Sequence, residues 1–147
     1  GGNYGWRVME GTHCFDYHKP NDHKASCENS NMVAPIIEYN HCVKFKGKNC
    51  DGINVIGGAV YRGANSAWQG KYFFGDWSMT FGGGSGRLYV ATNNGGKWSH
   101  ERANVTNNKF KTNVLAVLQD LKGNVYALTS GSMGPFGTRD TVYKITP

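Results

Sequence analysis

The sequence predicts an all-β protein, on three observations. Seven short runs rich in β-branched and aromatic residues follow Gly52, each of strand length. Glycine is abundant, at 21 of 147 residues, and turn-forming clusters separate the runs. Aromatic residues make up 13% and charged residues only 18%, a balance that favours pleated, half-buried surfaces and tight turns over helices.

In chain order, the first 50 residues read as mostly polar and irregular. Within them "MVAPIIEY", residues 32–39, is expected as one strand, with Pro35 marking an edge or bulge. From residue 53 onward come "NVIGGAVYR", "KYFFGDW", "RLYVAT", "KWSHER", "NVLAVLQD", "NVYALTS" and "TVYKIT". Asn93-Asn94-Gly95-Gly96 joins the third and fourth as a hairpin, and Asp120-Leu121-Lys122-Gly123 joins the fifth and sixth. Strands at this spacing mean a sandwich, a barrel or a propeller. The first four runs meander like one four-stranded propeller blade, whereas the last three leave a blade one strand short. Such an open edge is an association hazard.

Four cysteines, Cys14, Cys27, Cys42 and Cys50, fall in the first 50 residues and none in the rest. Their spacing lacks the short gaps of a zinc knuckle and suits disulfide staples across loops that have no core. Three connectivities are open; Cys14 with Cys27 and Cys42 with Cys50 close the shortest loops. Disulfides place the chain outside the cytosol, and the Asn104-Val105-Thr106 glycosylation triplet fits the same compartment. No apolar stretch approaches the roughly 20 residues of a membrane span. The net charge of +6 invites an anionic partner. Lys44, Lys46 and Lys48 read first as a solvated loop, with an acidic polysaccharide or a membrane surface as the functional alternative. No nucleic-acid-binding module is recognisable.

Other constellations read as structural. His13, His18 and His23, with Asp16 and Asp22 nearby, could form a metal cluster, but a polar surface loop is the simpler reading. Glu10, Glu38, Asp51 and Asp76 offer carboxylates for glycoside hydrolysis without a spacing that pairs any two, and Asp76 is expected as a turn-former. Trp6, Trp68, Trp77 and Trp98 are expected in packing rather than on sugar faces. "GGGSG", residues 82–86, lacks the Lys-Ser/Thr ending of a phosphate loop and reads as a strand connection.

Six ordered signatures carry a resemblance: "NYGWRVMEG" (3–11), "PIIEYNH" (35–41), "GGAVYRG" (57–63), "GKYFFGDW" (70–77), "SGRLYV" (85–90) and "GNVYALTS" followed by "TVYKI". In this order they resemble the glucose/sorbosone dehydrogenase domain, a six-bladed β-propeller. That fold is shared by soluble pyrroloquinoline-quinone (PQQ) sugar dehydrogenases and by the Hedgehog-interacting-protein-like proteins. The Arg after "YGW", with cysteines following, resembles the second branch more closely.

The resemblance implies that residues 1–147 form the C-terminal part of one such domain, about three blades, with a loop-rich, cysteine-containing segment at 1–52 and antiparallel blades at 53–147. Gly1 would then be a cut or a subunit boundary. The missing strand would come from the family's N-terminal segment, in the same or another chain, or from a larger assembly. In the dehydrogenases the catalytic histidine and the calcium-holding residues precede this portion, so no catalytic or metal residue is assigned here. PQQ and calcium belong to the complete domain. Lys109 and Lys111 stand where the sugar oxidases carry two arginines toward the quinone carboxylates, and lysine lacks the planar two-point grip. Cys50, Asp51 and Gly52 replace a Trp and a Thr near the cofactor. The expectation is a secreted binding or structural propeller of the Hedgehog-interacting-like kind, its partner an extracellular protein or polysaccharide. The alternative is the C-terminal half of a PQQ-dependent dehydrogenase oxidising an aldose.

Overall fold

A computed structural model describes residues 1–20, 22–28, 30–44, 46, 48–105, 111–134 and 136–146. Lys109 and Thr106 lie outside the described residues. Two compact units divide the chain, Gly1–Glu38 and Tyr39–Pro147. All the named strands are antiparallel, and no α-helix occurs among the described residues.

In the first unit regular structure is sparse. Strands β1 (Met9–Glu10) and β2 (His13–Cys14) form a two-residue hairpin, and a bridge joins Phe15 to His23. The Cys14–Cys27 disulfide closes this loop, with the Met9 sulfur 3.2 Å from Cys27 Sγ. The expected strand at 32–39 does not form. Pro35 has no N–H for a ladder, and the segment instead takes one backbone bond, Val33 N–H to Asn3 O at 2.7 Å. Trp6 is also not packed away: it is 72% exposed, with the Phe15 ring at 5.1 Å.

The second unit holds the seven strands read from the sequence. β3 (Val55–Val60), β4 (Tyr72–Asp76), β5 (Arg87–Asn94) and β6 (Lys97–Arg102) form a four-stranded meander. β7 (Asn113–Gln119), β8 (Val125–Ser130) and β9 (Asp140–Lys144) form a three-stranded sheet. The β5–β6 hairpin turns on Asn93, whose side chain accepts the Gly96 N–H at 2.7 Å. In the β7–β8 turn, Asp120 accepts from the N–H groups of Lys122 and Asn124.

Strand β7 packs against β3 and β4, so the two sheets share one core. Tyr61, Phe73 and Leu88 meet Val114, Val117, Val125 and Ala127 there, all buried. Because side chains alternate across a strand, Phe73 and Leu88 face this core while Phe74 and Tyr89, one residue on, face away. Yet Phe74 and Tyr89 are buried too. The opposite face of β4 and β5 therefore carries a second cover, which is where the candidate site lies.

Candidate functional site

Register places three rows of side chains on that second face. Tyr72, Phe74 and Asp76 of β4 stand opposite Ala91, Tyr89 and Arg87 of β5, and Tyr89 and Ala91 stand opposite Arg102 and His100 of β6. Against them lie Tyr39 and Asp51, from the chain that precedes β3.

Asp76 is the anchor. Its carboxylate is fully buried and accepts from the N–H groups of Ile53 (3.0 Å), Asn54 (3.1 Å) and Ser78 (3.1 Å), and from the Tyr39 hydroxyl (2.8 Å). A carboxylate out of water needs such a set of donors. Gly52 is required beside it, since a Cβ there would lie 1.9 Å from the Asp76 carboxyl carbon. Asp76 is thus the turn-former its place at a strand end suggested, through the Ser78 N–H, and also a buried tether for the covering loop.

Aromatic rings build the rest of the wall. Tyr39 lies 5.8 Å from Tyr89, Phe74 lies 5.1 Å from Tyr89, and His100 lies 5.6 Å from Tyr89 edge-on. Burial and the Asp76 charge raise the Tyr39 phenol well above its ordinary value. Burial pushes Tyr89 up to about 12, against the lowering effect of Arg87. Both hydroxyls stay protonated as donors: Tyr39 to Asp76 and Tyr89 to the Asp51 carbonyl.

Asp51 sits between Arg87 and His100, at 3.7 Å from each. Its carboxylate therefore serves two cationic or cation-forming groups at ion-pair distance. Arg87 also donates to the Cys50 carbonyl at 3.3 Å. Cys50 is bonded to Cys42, and Cys42 Sγ lies 3.6 Å from the Met79 sulfur.

Arg87 further lines an open cleft of about 730 Å³, with Met79, Gly86, Arg102, Asn104 and Lys111 around it. Among the described residues, three cations and no carboxylate line this cleft, which suits it to an anionic or strongly polar ligand. Gly86 allows the loop before β5 to approach β7, since a Cβ there would lie 2.6 Å from the Thr112 carbonyl oxygen.

Of the residues expected from the sequence, Lys111 and the exposed Asn104 come together on this cleft, whereas Lys109 lies outside the described residues. The histidines of the first unit do not converge as a trio. His13 stacks on His23 at 4.6 Å and pairs with Glu38 at 3.1 Å, while His18 lies against Tyr17. Among the described residues no group of three or more His, Cys, Asp or Glu is placed to hold a metal ion. No described helix is long and apolar enough to cross a membrane. Sequence reasoning missed Tyr39, Arg87 and His100; the period-2 reading of "RLYVAT" puts Arg87 and Tyr89 on one face, and only the β5–β6 register adds His100.

The HIPL2 protein of Arabidopsis thaliana is 36% identical over 77 residues, which cover 52% of this chain and 11% of that protein. The HIPL1 protein of the same plant is 35% identical over 78 residues, with the same shares. Over about half its length the chain is HIPL-like. It spans 11% of the length of the curated relatives it matches. No family model matches the chain. No solved structure matches it.

Proposed function

We propose that this HIPL-like chain, residues 1–147, is the C-terminal part of a glucose/sorbosone dehydrogenase-like β-propeller, secreted, and acting as an extracellular binding or structural module and not as a sugar oxidase. The observation that carries the reading is the environment of residues 50–52. Where the resemblance implies a Trp and a Thr beside the quinone, Cys50 is locked to Cys42, and Asp51 is paired with Arg87 and His100. A carboxylate at this place adds negative charge where the quinone's own carboxylates would approach, which supports the module reading. Two disulfides support an oxidising compartment. Secretion would also place an N-glycan on Asn104, read as a glycosidase-sensitive mass shift that N104Q abolishes.

One observation favours the dehydrogenase reading: Lys111 lies on a cleft lined by two arginines. The deciding experiment incubates the full-length protein that carries this chain with PQQ and calcium and follows quinone binding by absorbance and aldose-dependent reduction of a dye. The expected result is neither. Stoichiometric quinone binding with sugar-dependent dye reduction would overturn the module reading.

A further inference from the structure

We propose that the disulfide-closed loop between Cys42 and Cys50 is a docking site for an anionic polysaccharide, a uronate polymer, held by Lys44, Lys46 and Lys48. This rests on the extracellular-module reading and names its ligand class. Charge is segregated along the chain. Residues 39–147 carry thirteen Lys and Arg against five Asp and Glu, a net +8, whereas residues 1–38 carry three against five, a net −2. Three of the five carboxylates of the second unit are committed within it. Asp76 is buried among its donors, Asp120 is bound into its own turn, and Asp51 faces Arg87 and His100. The unit therefore presents a cationic surface.

The loop concentrates that surface. No carboxylate occurs between Cys42 and Cys50, and Lys44, Lys46 and Lys48 are all exposed, at alternate positions. Its two ends are fixed. Cys42 is 1% exposed, its N–H donates to the Gly52 carbonyl at 2.8 Å, and Asn40 Nδ2 donates to the Asn49 carbonyl at 3.1 Å. Lys46 N–H closes a turn on the Val43 carbonyl at 3.3 Å. A disulfide-closed ring has fewer conformations to lose on binding than an open loop, so its charges act together.

Chemistry selects among polyanions. Disulfides persist in oxidising compartments, whereas anionic lipid is concentrated on the cytoplasmic leaflet. A uronate polymer needs only regularly spaced cations.

The test measures binding of the full chain to immobilised polygalacturonate, with neutral dextran and vesicles of equal phosphatidylserine and phosphatidylcholine as comparisons. Binding to polygalacturonate that weakens with salt is expected. K46Q/K48Q should weaken it about fivefold or more, and K46R/K48R should retain it. The control K97Q/K122Q removes the same charge elsewhere and should change it less than about twofold. Equal loss in the control, preference for the vesicles, loss from K111Q in place of the loop variants, or no binding would each overturn the proposal. Thermal melts of the variants separate lost binding from lost folding. Absent uronate binding together with absent quinone chemistry sinks this proposal and leaves the module reading standing; quinone-linked oxidation sinks the module reading.

Discussion

Asp76 gathers four hydrogen-bond donors from three parts of the second unit onto one side chain. Three backbone N–H groups and one phenol depend on its carboxylate, so Asp76→Ala leaves buried donors unpaired. The expected loss is about 3 kcal/mol in urea unfolding, with protease sensitivity appearing first at residues 39–54. Tyr89 supplies a pH signature. Its phenol is raised from 10.0 to about 12 in the folded chain, so the folded state holds its proton more tightly than the unfolded state does. That stability is fully present below pH 10 and is lost as pH rises through about 12. Alkaline unfolding followed by circular dichroism should begin above pH 10, and Y89F should flatten that limb.

Among the elements, the β7–β8 turn makes the opposite prediction. Asn124, chiefly through its side chain, holds the Asp120 carboxyl at about 2, below its ordinary 3.8. Its contribution is present above pH 3.8 and disappears as pH falls through about 2, so D120N should remove part of the acid dependence of stability in that window. Such turns were legible in the sequence because glycine and Asx residues act locally. The seven strands were legible for a similar reason: "NVLAVLQD" and "NVYALTS" carry β-prone residues between turn signals. Residues 32–39 misled because Ile36 and Ile37 look strand-like, while a ladder needs partners and Pro35 offers no N–H. The candidate site was less legible still. Asp76, Tyr39 and Asp51 lie far apart in sequence, and a tether between a strand end and a loop leaves no periodic trace. The basic residues were visible in the sequence, but which of them share a cleft depends on the register of β5 and β6 and on the approach of β7.

At the scale of the whole molecule the open sheet edge matters most. β9 lies at the edge of its sheet with all five residues exposed, Val142 among them at 64%. A strand edge of this kind is a template for pairing. Sedimentation should show association rising with concentration, and V142K, which puts a charge on the edge strand, should reduce it; a species of 16.1 kDa at every concentration would refute this. The Cys42–Cys50 bond has a further consequence for how the chain behaves under digestion. Three trypsin-susceptible lysines lie inside a covalent ring, so a cut at any of them leaves both fragments attached. A nicked molecule would run as intact on a non-reducing gel and fall into two pieces only when thiol is added, so the integrity of a preparation has to be judged after reduction.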